Sequence, residues 1–263
     1  MRELMTAHSS LRRLTLVVLP AFFAAPLHAQ SNNLGGVVAL SSQLVDRGLA
    51  ITPVTPILQG NVTWNSASGW ILGISAATET RSPGHGSEAM VQAAHYWSLS
   101  ADWRMQAGAV YYDYPGNPQS RPFDRIETGL NWMYRDVLSF GVSAITLTRG
   151  DDHHPRGAAD VDFHWPLPAH FALSAGLGVT QSLYRQSQPA APWNDGGYGG
   201  GYTYGYGYHL ARTSSYYGYG HLGLIWAYGP WQVELDRIAT DPSIRRQGGM
   251  AAAPWVATVS WSF

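Results

Sequence analysis

The sequence predicts an all-β chain, a transmembrane antiparallel up-and-down β-barrel of about twelve strands preceded by a cleaved signal peptide. Three observations predict it. Apolar residues recur with period two through most of the chain, connections alternate short and long, and tryptophans gather beside the short connections.

Composition narrows the class first. Only 13% of the 263 residues are charged, against roughly 25% in an average soluble domain. Mean hydropathy is nevertheless only −0.14, which does not fit a bundle of membrane helices. A barrel reconciles the two, because each strand turns one apolar face to lipid and one small or polar face inward. A net charge of −1 gives no electrostatic reason to expect a nucleic-acid partner. With no cysteine, disulfides and thiolate chemistry are excluded.

Residues 1–29 read as a signal peptide. Arg2, Arg12 and Arg13 precede the apolar run Leu14–Ala25, and Leu27-His28-Ala29 offers a cleavage site that leaves Gln30 first. The apolar run is shorter than the roughly 20 residues a spanning helix needs. Residues 30–263 form the barrel domain, with a Tyr/Gly-rich outer loop at about 184–214.

The strands follow from alternation. They are expected at Leu34–Leu44, Ile57–Trp64, Trp70–Ala76, Glu88–Leu99, Arg104–Asp113, Arg125–Tyr134, Leu138–Thr148, Asp160–Trp165, Phe171–Thr180, Tyr216–Tyr228, Trp231–Asp236 and Trp255–Phe263. In the sixth, Ile126, Thr128, Leu130, Trp132 and Tyr134 oppose Arg125, Glu127, Gly129 and Asn131. In the ninth, Phe171, Leu173, Ala175, Leu177 and Val179 oppose Ala172, Ser174, Gly176, Gly178 and Thr180.

Connection lengths orient these strands. Asn65–Gly69, the region near Ala101, Arg135-Asp136, Pro166–Ala169 and Gly229-Pro230 are short. Val45–Pro56, Thr78–Ser87, Tyr114–Asp124, Arg149–Arg156, Leu183–Ser215 and Thr240–Ala251 are long. Short periplasmic turns and long outer loops are the pattern of outer-membrane barrels. Trp64, Trp70, Trp97, Trp103, Trp132, Trp165, Trp226, Trp231 and Trp261 flank short connections or the C-terminus. They are expected to form a periplasmic aromatic girdle, where an indole ring is apolar but its N–H reaches water.

Part of the chain resembles a known family. Val38–Ser42, Arg47-Gly48-Leu49, Pro56–Gly60 and Ser68-Gly69-Trp70 are similar to the opening hairpin of the TorF-like family of predicted proteobacterial outer-membrane porins. Tyr111–Gly116 is similar to that family's Tyr-rich strand ending in Tyr-Pro-Gly. The match covers about the first hundred mature residues. Glu88-Ala89-Met90-Val91-Gln92 departs from the family's acidic fourth strand, and the Tyr/Gly-rich stretch has no counterpart in it. The resemblance implies an outer-membrane barrel and porin-like passage. Phe263, after Trp261 and Val259, resembles the terminal signal that such barrels present to their assembly machinery.

Candidate lumen-lining residues are Arg125, Glu127, Asp160, Asp162, His164, Glu234 and Asp236. On a lumenal face they set a field for ions or sugars; the competing role is an ion-pair network that fills the barrel. Pairing of Arg125, Glu127 and Glu234 across the axis would plug it. Arg47-Gly48 reads as a turn after the first strand, with Arg47 near charged lipid heads. Asp151-Asp152-His153-His154 reads as a solvated loop rather than a metal site. His221, with Ser214 and Ser215, lacks any spacing that supports a lipid-modifying barrel enzyme.

The reading is a porin-like protein passing small hydrophilic solutes, with no reaction and no cofactor. The alternatives are a closed barrel whose outer loops contact a partner, glycan or lipopolysaccharide, and, more remotely, the lipid-modifying enzyme. Expected partners are outer-membrane lipid, lipopolysaccharide and the barrel assembly machinery, with no nucleic acid and a monomeric state.

Overall fold

The computed structural model describes residues 33–83, 86–116, 123–149, 153–183, 216–242 and 252–263. The expected signal peptide and the Tyr/Gly-rich stretch lie outside the described residues.

Fourteen strands are described. In chain order they are β1 (Asn33–Ser41), β2 (Val45–Asp46), β3 (Leu49–Ala50), β4 (Ile57–Asn65), β5 (Trp70–Glu79), β6 (Gly86–Ser98) and β7 (Trp103–Asp113). After these come β8 (Arg125–Tyr134), β9 (Leu138–Leu147), β10 (Arg156–Pro166), β11 (Phe171–Gln181), β12 (Tyr216–Tyr228), β13 (Trp231–Thr240) and β14 (Trp255–Ser262). Twelve of them close into one antiparallel barrel, in which β1 pairs with both β4 and β14. Closure leaves no strand edge, so every ladder group finds a partner where water is absent. The remaining two, β2 and β3, form a separate hairpin.

Alternation decides which side each residue faces. On β11, Phe171, Leu173, Leu177 and Val179 are exposed, while Ala172, Ser174, Gly176 and Thr180 are buried. The same outward apolar face continues over Leu72, Ile74, Val91, Leu130, Val142, Val161, Leu222, Leu224 and Leu235. A soluble monomer rarely exposes a continuous apolar patch beyond a few hundred Å². A hydrocarbon surround removes that penalty, and most barrel strands match the ~9–11 residues needed to cross at a tilt.

Tight turns close one end. The β12–β13 link is only Gly229-Pro230, and Gly229 takes φ 59°, which a residue with a side chain resists. Ala169 and His170 both adopt positive φ in the β10–β11 link. Trp70, Trp97, Trp165, Trp231 and Trp261 are exposed at this end, and Trp64, Trp103, Trp132 and Trp226 are half-buried there. Trp132 stacks on Phe140, and Trp226 stacks on Tyr228. At the other end, Arg237 lies over the Trp255 ring, 5.5 Å from its centroid.

The C-terminus is tied to the first strand. Gly36 N donates to Phe263 O at 3.1 Å, and Phe263 N donates to Gly36 O at 3.0 Å. The Phe263 ring covers Gly36, where any Cβ would collide with it, and stacks on Trp261.

Candidate functional site: the lumen and its inserted hairpin

The first long connection turns inward. Beyond Ser41 the chain enters the barrel and doubles back. Gln43 Nε2 donates to Thr52 O at 2.9 Å, Leu44 N donates to Thr52 Oγ1 at 3.1 Å, and Ile51 N donates to Leu44 O at 2.9 Å. Val45 then pairs with Ala50 and Asp46 with Leu49. The turn is Arg47-Gly48, with φ of 47° and 75°. Positive φ at both central residues is the two-residue hairpin geometry that matches strand twist.

Apolar side chains seat this hairpin on every side. Leu44 and Ile51 join a core with Ile57, Ala77, Val110, Tyr112, Tyr114, Ile145 and Leu147. Leu49 packs with Tyr217 and Tyr219 of β12, and Val45 with Ala252 and Val256. One end of the lumen is therefore filled with side chains around a two-stranded plug.

Charges fix the tip. Both nitrogens of the Arg47 fork donate to Glu127, Nη1 to Oε2 at 3.1 Å and Nη2 to Oε1. Nη2 also donates to Ser143 Oγ at 3.3 Å. Arg125 Nη2 donates to Asp46 Oδ2 at 2.8 Å, and its Nη1 donates to Tyr114 Oη at 3.0 Å. The Arg125 guanidinium also stacks 3.9 Å from the Tyr112 ring centroid. Arg47, Arg125 and Glu127 are each at most 1% exposed. Burial opposes the charge on Arg47, but Glu127 and Asp46 together outweigh it and hold its pKa well above the ordinary arginine value. Burial likewise pushes the Tyr114 phenol up, so it stays protonated.

The opposite wall holds the hairpin's backbone. Thr240 Oγ1 of β13 donates to Gly48 O at 2.8 Å, and Ala252 N donates to it at 3.3 Å. In the barrel order β8 and β13 lie nearly opposite, so the hairpin bridges the lumen. This corrects two sequence expectations. Val45–Pro56 is not simply a solvated outer loop, and Arg47 is not near lipid heads. Leu44, Val45, Leu49 and Ile51 lose their apolar surface to water only by turning inward, and Arg47 follows them to its carboxylate.

The other wall is different. Asp160, Asp162 and His164 on β10 alternate inward, as do His221 on β12 and Glu234 and Asp236 on β13. Tyr219 Oη donates to Asp160 at 3.2 Å. Glycines make room for the carboxylates. A Cβ at Gly141 would meet Asp160, one at Gly176 would meet Asp162 and His221, and one at Gly223 would meet Asp236 and Ser174. Asp162 Oδ1, Asp236 Oδ1 and Ser174 Oγ lack a hydrogen-bond partner within the protein. None of the ion pairs among the described residues involves Asp160, Asp162, Glu234 or Asp236.

The structure thus splits the seven sequence candidates. Arg125 and Glu127 belong to the plug network, with Asp46 and Arg47, and Glu234 does not pair with them. Asp160, Asp162, His164, Glu234 and Asp236 lie along the second wall. The residues that sequence reasoning missed are Asp46 and Arg47. Their signal was the set of four apolar residues flanking a turn in a loop expected to be solvated. His153 Nδ1 lies 2.8 Å from Leu147 O, and Asp151 and Asp152 fall outside the described residues.

A closed, lipid-facing barrel with a polar interior and an inserted hairpin defines a membrane-spanning barrel of porin architecture. Among solved structures, the KdgM porin matches with a TM-score of 0.51 at 9% identity, over 87% of this chain and 98% of that one. The NanC porin matches with a TM-score of 0.50 at 13% identity, over 88% of this chain and 99% of that one. At such identities the likeness is one of fold: the chain has the fold of outer-membrane porins. No family model matches the sequence, and no curated protein matches it.

Proposed function

We propose that this chain is a porin-like protein of a Gram-negative outer membrane that passes small hydrophilic solutes by passive diffusion. The observation that carries the proposal is the second wall. Asp160, Asp162 and Asp236 are half-buried on the inward face with no ion-pair partner among the described residues, and burying an unpaired carboxylate in a dry interior costs several kcal/mol or more. Such a wall is stable when water and solutes reach it. Gly141, Gly176 and Gly223 make room on the inward face for Asp160, Asp162 and Asp236. The sequence resemblance to the TorF-like family supports the same reading at finer grain. In this reading the exposed tryptophans at the short-turn end mark the periplasmic interface, and Phe263 engages the assembly machinery.

Conductance of refolded Gln30–Phe263 in a planar bilayer tests it. Discrete, stable current steps are expected. A correctly inserted, heat-modifiable barrel that shows no steps would overturn passage.

One observation favours a second reading. The hairpin held by Arg47–Glu127 and Arg125–Asp46 fills one end of the lumen. A barrel that stays plugged would act through its outer loops on a partner, glycan or lipopolysaccharide, and silent bilayers would select that reading.

A further inference from the structure

We infer that the β10–β13 wall is a binding site for small cations, which biases the lumen toward solutes bearing ammonium groups. The inference names the solute class for the proposed passage and rests on that reading for access to the site.

The charge balance is the starting point. The chain contains no lysine, so only arginine supplies fixed positive charge. Arg47 and Arg125, the arginines buried in the lumen, are already matched by Glu127 and Asp46. Among the described residues neither pairs with Asp160, Asp162, Glu234 or Asp236. Asp160, Asp162, Glu234 and Asp236 therefore form an acidic surface with no cationic partner among the described ion pairs.

Acidity alone would not make a site. A buried hydroxyl without a partner points to a ligand there. Glu234 is 1% exposed and faces inward two residues from Asp236, with no ion-pair partner among the described residues. Ser174 is 3% exposed, and its unpartnered Oγ enters the same notch over Gly223 that Asp236 occupies. On the neighbouring strands, Asp162 leans over Gly176 beside the His221 ring. The register sets these side by side: His164, Ser174, Gly223 and Asp236 lie in one row, and Asp162, Gly176 and His221 in the next. Asp162 and Asp236 are half-buried and border the lumen, with Glu234 enclosed behind them.

An ammonium group suits this surface. It brings three donors and a full charge, and acceptors of matching kind surround the notches. A carboxylate or sulfate solute would meet like charge with no arginine to receive it. Among the described residues no group of His, Asp and Glu side chains is placed to hold a metal ion.

The test uses the refolded full mature barrel and its Glu234→Gln/Asp236→Asn double variant, with Asp162→Asn as an independent change on another strand. These replacements conserve volume, and heat-modifiability checks that each variant folds. The diamine putrescine is titrated calorimetrically, with succinate as the anionic control, and the reversal potential is read in a KCl gradient. Putrescine should bind, succinate should not, and cations should carry the current. Each variant should weaken putrescine binding and cut the cation preference by about threefold or more, within the range that focused lumenal charge produces. Current steps without cation preference, or putrescine binding that the variants leave unchanged, overturn the inference while passage stands. Variant-sensitive putrescine binding with no current supports the site and removes passage. Absence of both putrescine binding and current removes both.

Discussion

At the residue scale, the plug depends on a few side chains whose charges are sealed from water. Removing one member of a buried ion pair typically costs about 3–5 kcal/mol, because the other charge is left uncompensated. Glu127→Gln strands Arg47, which is 1% exposed beside it. The hairpin should leave its seat, and Arg47 should become a trypsin site in the folded barrel. Mass spectrometry of digests should show peptides ending at Arg47 from the variant and none from the parent chain. Gly48 gives a second handle. Its φ of 75° costs a residue with a Cβ about 1–2 kcal/mol, and that Cβ would press on Thr240 and on Tyr219 at 3.1 Å. Gly48→Ala should raise trypsin cleavage at Arg47 in the same assay. A protected Arg47 in both variants would show that apolar packing alone seats the hairpin. These residues were the least legible part of the sequence. Alternation assigns Arg125 and Glu127 to the face of β8 opposite Ile126, but it cannot say which loop supplies their partners. That pairing joins residues 80 apart in the chain, Arg47 and Glu127, and no local pattern encodes it.

At the scale of elements, the twelve barrel strands were legible in order and facing, with ends misplaced at several of them: β1 stops at Ser41 instead of Leu44, and β5 runs on to Glu79. Each presents one face to lipid and one inward, so hydrophobicity reports orientation at every second position. β12 begins and ends where alternation placed it, at Tyr216 and Tyr228. β10 and β13 extend farther, to Arg156 and Thr240. There small residues such as Gly157, Ala158, Ala159 and Ala239 blur the contrast between faces. The strands of the hairpin β2–β3 could not be read from alternation, because two-residue strands carry no period; only the Arg47-Gly48 turn and its apolar flanks marked the place. The faces also differ in tolerance. Leu177 sits mid-strand on β11 and is 74% exposed to the surround. Leu177→Arg should cost about 2–4 kcal/mol in a bilayer, the penalty for arginine near the midplane of a barrel. Ser174→Ala, which removes an unpartnered hydroxyl on the inward face of the same strand, should cost far less. Urea unfolding of the two variants in lipid vesicles checks the contrast, and equal losses would contradict the assigned lipid face.

At the scale of the whole molecule, the barrel's strand ladder closes without its plug, but side-chain bonds and packing tie the two together. The closed ladder runs through β1, β4 and β14 without using β2 or β3. The hairpin, however, supplies Leu44, Val45, Leu49 and Ile51 to three apolar clusters inside the wall. Replacing residues 44–51 by a short Gly/Ser linker should therefore leave a closed, heat-modifiable barrel that unfolds at a lower temperature. Each lost apolar side chain removes about 1.5–3 kcal/mol of burial. The same change empties one end of the lumen and strands Arg125 and Glu127 beside water, where their charges are readily solvated. Unitary conductance should rise well above that of the parent chain, because the side chains that fill this end around the hairpin lose their centre. Conductance that stays at the parent value would place the limiting constriction at the other end, where Ile71, Ala172 and Ile225 face inward and are buried. Loss of the heat-modifiable form would show instead that the hairpin is part of the barrel's core, and passage would then have to run beside it rather than through its displacement.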